Sequence, residues 1–180
     1  MLDRNDTVLV VVDVQERMMP AISQGEEIIA GVTKLVRGFL ALEIPMLITE
    51  QYPKGLGPTV PTVAEAMGEW YRPIEKITFS ACADMHFMQQ LETAGRQNVI
   101  LCGVETHVCV YQTAMDLLNL GYTVEIAADA VGSRAQRNYD IALRKMTQHG
   151  IDLTSVEMIL FEMMVRADIA EFKAVQGLVK

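Results

Sequence analysis

Between Thr7 and Val12 the chain reads Thr-Val-Leu-Val-Val-Val, and then meets a charge at Asp13. No polar residue alternates with the apolar ones, so a strand of this kind has to be covered on both faces. Such strands belong to sheets with helices packed above and below. The pattern recurs along the chain. Pro45–Thr49 and Asn98–Val104 are further strand candidates, Ile74–Phe79 is a weaker one, and Thr123–Ala128 is a fifth.

Segments with helical spacing lie between these runs. Residues 28–40 carry Ile28, Val32, Leu35 and Phe39 in one apolar stripe. Phe87, Met88 and Leu91 predict a short helix ending near Gly95, and Cys109, Val110, Thr113, Ala114, Leu117 and Leu118 predict another closed by Gly121. Capping-box spacing occurs at Ser23–Glu26, Ser133–Gln136 and Thr154–Glu157. The second of these opens a helix that Gly150 closes. Beyond the third, Ile159-Leu160-Phe161 reads equally well as helix or strand. Residues 51–62 hold Pro53, Pro58 and Pro61 with Gly55 and Gly57, and read as a long structured loop. Strands alternating with helices imply βαβ units and a mostly parallel sheet. In such folds ligands bind outside the carboxyl ends of the strands.

A length of 180 residues suits one domain over 1–180. The net charge is −8, which disfavours binding to a phosphate backbone. Cys82, Cys102 and Cys109 are odd in number and lack zinc-site spacing, which points to a reducing cytoplasm and no structural metal. Charges interrupt every apolar run before 18 residues, so no membrane span is expected, and no secretory leader is apparent. The phosphate-cradling glycine motifs Gly-x-Gly-x-x-Gly and Gly-Lys-Ser/Thr are missing.

Three strand ends carry reactive groups. Asp13 is either a turn residue or a partly buried carboxylate suited to general-base work. Lys76 is either a surface lysine or an inward cation, which then needs a carboxylate partner. Cys109 is either a small buried hydrophobe or a thiol in the first turn of a helix. There the helix N-terminus favours the thiolate, a nearby lysine favours it further, and unpaired N–H groups stand ready for an oxyanion. His107 is either an acid or base near Cys109 or a surface residue. His86 and His149 form no metal pair with it.

The set Asp13, Lys76 and Cys109 resembles that of the isochorismatase-like cysteine hydrolases, which include nicotinamidases and N-carbamoylsarcosine amidohydrolases. The resemblance is carried by Leu9–Gln15, by Lys76–Ser80, by Gly103-Val104-Glu105-Thr106-His107-Val108-Cys109-Val110, and by Ser155–Phe161. Thr49–Gly57 looks like the isochorismatase-domain subgroup. The resemblance implies an α/β, three-layer α/β/α fold, Rossmann-like, around a mostly parallel central sheet of about six strands. It implies Cys109 as nucleophile, Asp13 as general base and Lys76 as the cation between them. The backbone N–H groups of Glu105 and Cys109 would form the oxyanion hole, beside a cis peptide at Val104–Glu105. The expected reaction is cleavage of a small amide, or less readily an ester, through a thioester.

Two departures narrow the reading. Nicotinamidases carry metal-binding histidines after the second strand, where this chain has Glu50-Gln51-Tyr52-Pro53. No metal or other cofactor is therefore expected. True isochorismate hydrolases lack the nucleophilic cysteine, so Cys109 favours acyl chemistry. Isochorismatase-type hydrolysis without covalent catalysis, and a binding protein with a vestigial site, stay open as alternatives. Gln15, Tyr52, Phe79 and Thr106 are expected to wall the substrate site, and Pro53–Pro58 to form a lid. The expected partners are a small-molecule substrate and further copies of the chain in a homo-oligomer, with no nucleic acid and no membrane.

Overall fold

The computed structural model describes residues 1–180. Six strands form one sheet: β1 (Thr7–Val12), β2 (Met46–Gln51), β3 (Ile74–Lys76), β4 (Asn98–Val104), β5 (Thr123–Gly132) and β6 (Asp152–Thr154). Their order is β3-β2-β1-β4-β5-β6 and every pairing is parallel. The α/β reading from the strand pattern therefore holds, with the sheet wholly parallel.

The helices are α1 (Gly25–Ala41), α2 (Pro53–Leu56), α3 (Pro61–Met67), α4 (Met85–Ala94), α5 (Tyr111–Asn119), α6 (Gln136–Gln148), α7 (Val156–Met164) and α8 (Phe172–Val179). They split into two layers. Residues of α1, α3, α7 and α8 share one core, and residues of α4, α5 and α6 share the other. β1 shows why its sequence has no polar alternation. All six of its residues are buried; Leu9 and Val11 join the first core, while Val8, Val10 and Val12 join the second. Each core side chain of this size contributes roughly 1.5–3 kcal/mol by leaving water.

Several elements differ from the sequence expectation. The 51–62 segment is a loop interrupted by helix, because Pro53 and Pro61 open α2 and α3 in their first turns, where a missing N–H costs nothing, while Gly57–Val60 stay irregular. β3 stops at Lys76 instead of Phe79, and β5 runs on to Gly132. Residues 159–161 are helical, and the sixth strand is Asp152–Thr154 just before them. Two of the capping boxes are unused: α1 starts after a left-handed Gln24, and α6 after an extended Ala135 with no side-chain cap. At the third, Ser155 rather than Thr154 caps α7, accepting from Met158 N–H. The C-terminal α8 has no counterpart in the sequence reading.

The strand order places the sheet's switch point between β1 and β4, whose exits lie side by side. Gly103 allows their close approach. Its φ is +107°, and a Cβ there would stand 2.0 Å from Val12 O, so only glycine fits.

Candidate active site

Asp13 follows β1 directly and takes a left-handed φ of +51° as the chain leaves the sheet. β3 ends in Lys76, two strands away. The lysine stem spans the end of β2, and its ammonium donates to Asp13 Oδ2 at 2.7 Å. Both side chains are fully buried. The pair survives burial because its remaining valences are filled. Thr49 Oγ1 donates to Asp13 Oδ1 at 2.7 Å. Lys76 Nζ donates also to Gln51 Oε1 at 2.8 Å and to the carbonyls of Thr78 and Phe79 at 3.3 Å each. Thr49 and Gln51 come from the strand between the two charges, and nothing in the sequence reading singled them out. Their signal was polar residues two apart at the end of a buried strand, hence on one face.

β4 leads into the third component. The Val104–Glu105 peptide is cis. Thr106–Val110 then form a π-helical turn, and α5 begins only at Tyr111. Cys109 thus lies within the wide turn rather than in the first turn of the α-helix as expected, a geometry that recurs at functional sites. It is 4% exposed. The expected depression of its pKa is not found. Burial pushes the thiol up to about 12, the Asp13 carboxylate pushes the same way, and Lys76 opposes them incompletely. The same three side chains are nonetheless brought into mutual reach, and Cys109 rests as a thiol beside a carboxylate.

The turn is held from outside. The Glu105 carboxylate is buried and accepts from Arg134 N–H at 2.9 Å and from Arg134 Nε at 3.1 Å on both oxygens. Its carbonyl accepts from Val108 and Val110, while its own N–H donates to no protein group. His107 Nδ1 lies 2.9 Å from Ser133 Oγ, which explains why that serine does not cap α6. Thr106 is fully buried and its Oγ1 has no partner.

The other wall candidates are placed differently from one another. Tyr52 and Phe79 are about half exposed, and each follows the end of its strand, next to Lys76. Gln15 is fully buried, and its amide is consumed: it accepts from Gln51 N–H and donates to the carbonyls of Gln51 and Gly57. The Pro53–Pro58 run is tied down by Arg17 N–H to Leu56 O, Glu16 N–H to Pro58 O, and the Arg17 guanidinium to Gly55 O. Glu50, on the opposite face of β2, is likewise occupied: one of its oxygens accepts from Thr59 N–H, Thr59 Oγ1 and Tyr71 OH. No three His, Cys, Asp or Glu side chains converge as a metal site would need.

A family model, the isochorismatase domain, matches residues 7–158. The chain belongs to the isochorismatase family. Isochorismatase domain-containing protein 2 of Danio rerio is 38% identical over 177 residues, covering 98% of this chain and 88% of that one. The solved structure of the MAR1 ribonuclease from Caenorhabditis elegans superposes with a TM-score of 0.93 at 40% identity, covering 99% and 91% of the two chains. YcaC from Pseudomonas aeruginosa, solved with hexane-2,5-diol and covalent acrylamide, gives a TM-score of 0.91 at 25% identity over 98% and 90%. Membership makes this chain an isochorismatase-family hydrolase, and no helix in it is long and apolar enough to cross a membrane.

Proposed function

We propose that the protein is a metal-independent cysteine hydrolase of small amides, with Cys109 as nucleophile, Asp13 as general base and Lys76 as the cation that orients and balances Asp13. The observation that carries this is the meeting of the buried Lys76–Asp13 pair with a buried thiol whose pKa both groups perturb. Because the thiol stands protonated at neutral pH, the reaction begins with proton transfer rather than with a preformed thiolate. Asp13 takes the Sγ proton as sulfur attacks the carbonyl carbon. The C=O π electrons move to oxygen, where the N–H groups of Glu105 and Cys109 serve as donors; losing one such donor typically costs about 2.7–4 kcal/mol. Asp13 then gives its proton to the leaving nitrogen, the C–N bond breaks, and an amine or ammonia departs, leaving a thioester. Water attacks the thioester, Asp13 accepts its proton, the C–S bond breaks, and the proton returns to sulfur as the acid is released.

The surroundings favour a small uncharged substrate. Lys76 is committed to four acceptors and Arg134 to Glu105, so neither is free for a substrate carboxylate. Covalent acrylamide in the P. aeruginosa relative, itself a small neutral amide, is consistent with this. The commitment of Lys76 and Arg134, with a net charge of −8, weighs against a polyanionic substrate of the kind the MAR1 ribonuclease relative is named for. In this reading the half-exposed Tyr52 and Phe79 contact the substrate, and the buried, unpartnered Thr106 hydroxyl supports them from below. The test is a panel of primary amides, scored by ammonia release. Asp13→Asn and Cys109→Ala should each abolish turnover of any amide the wild type hydrolyses, and full activity in Cys109→Ala would overturn the assignment.

A further inference from the structure

A cleft of about 720 Å³ opens at the opposite end of the sheet from Cys109, where β2 and β3 begin. That volume is within the range of small-molecule sites, roughly 300–1,000 Å³. Its floor is Leu47 and Ile74, and one wall is the α4 stripe of His86 and Gln90, spaced one helical turn apart. The other wall is Trp70 with Arg72. Both side chains line the cleft, while Tyr71 between them turns away to donate its hydroxyl to Glu50.

Two features distinguish this cleft from ordinary surface. Trp70 is the only tryptophan in the chain, and it stands 54% exposed against an apolar floor. Arg72, His86 and Gln90 all bring N–H donors to the cleft, and none of the three makes a side-chain hydrogen bond or ion pair within the protein. In a chain with 23 acidic and 15 basic residues, the cleft carries no net formal charge: Arg72 is matched by a single acid, Glu69, with His86 beside them. An indole face binds a flat apolar body, while a guanidinium binds a carboxylate through paired, charge-assisted hydrogen bonds.

We propose that this cleft is a second, non-catalytic binding site for a small aromatic carboxylate, with the ring against Trp70 and the carboxylate on Arg72. Gln90 and His86 supply further donors along α4. Glu69 opposes the ligand's charge and so limits its affinity.

The lone tryptophan makes the site directly readable. Benzoate titrated into the intact protein should change Trp70 fluorescence saturably, with calorimetry giving the same Kd. Arg72→Gln should weaken binding about tenfold, as expected for a lost charged hydrogen-bond pair. Glu69→Gln should tighten it. Benzyl alcohol, which lacks the charge, and cyclohexanecarboxylate, which lacks the flat ring, should both bind more weakly than benzoate. Trp70→Ala, followed by calorimetry, should weaken benzoate as well. Arg72 and Glu69 are exposed, so circular dichroism should show both variants folded as the wild type is. Cys109→Ser should bind benzoate unchanged, which separates this site from the proposed catalytic one. The proposal is overturned if no saturable binding occurs, if Arg72→Gln leaves Kd unaltered, or if Cys109→Ser abolishes the signal.

Discussion

Replacing Lys76 with methionine keeps most of the buried stem and deletes only the charge and its hydrogen bonds. The Asp13 carboxylate then stays fully buried with no cation, keeping only Thr49 Oγ1 at 2.7 Å and the weakly donating Cys109 thiol, and the Gln51 amide oxygen and two carbonyls lose the ammonium as donor. Breaking a buried pair from one side typically costs about 3–5 kcal/mol, since the surviving charge goes uncompensated. With a urea m-value of roughly 2 kcal/mol/M, the unfolding midpoint should fall by about 1.5–2.5 M. The double variant Asp13→Asn/Lys76→Met removes the stranded charge and should recover part of that loss while staying inactive. Equilibrium urea unfolding followed by circular dichroism reads both. A loss below about 1 kcal/mol in Lys76→Met would refute the reading of a dry, mutually dependent pair.

Three further outcomes are expected. Burial and Asp13 raise the Cys109 pKa to about 12, so its stabilising contribution is whole below about pH 8.5, where an exposed thiol begins to ionise, and is lost as pH climbs toward 12; Cys82 moves in the same direction. The urea midpoint should therefore fall across that window, less steeply in Cys109→Ser, and equal slopes would contradict it. Arg134→Ala removes the cation from the buried Glu105 carboxylate and should cost about 1–3 kcal/mol in the same unfolding assay, with Arg134→Lys recovering part of it. Light scattering should give a mass above the 20.0 kDa of one chain, because Ile77, Phe79 and Met85 leave large apolar surface exposed near one sheet edge; a 20.0 kDa species would reject assembly.

The sheet was readable in the sequence because its physics is local. The unbroken run at Val8–Val12 permits little else than a strand covered on both sides, and Gly95, Gly121 and Gly150 all take positive φ just past the helices they close. The failures came where distant contacts outweighed local rules. Ser133 has capping-box spacing, but His107, 26 residues away, takes its hydroxyl. Pro53 and Pro61 read as loop markers until their helices place them in first turns. The positions of Asp13, Lys76 and Cys109 at three strand ends were visible in the chain. What the sequence did not disclose was how dry the site is. A helix N-terminus and a lysine argue for a thiolate, yet burial dominates and leaves a thiol. The roles of Thr49 and Gln51 are not legible in the sequence because they depend on β2 lying between the two charges.

The proposed mechanism requires Cys109 to become covalently acylated during turnover. The direct measurement is acid quenching during turnover of a reactive ester or amide, followed by intact-mass and peptide-mass analysis. An acyl group is expected on the Cys109 peptide in the wild type, with none on Cys82 or Cys102 and none in Asp13→Asn. Turnover of that substrate with no adduct at Cys109, and undiminished in Cys109→Ala, would contradict it.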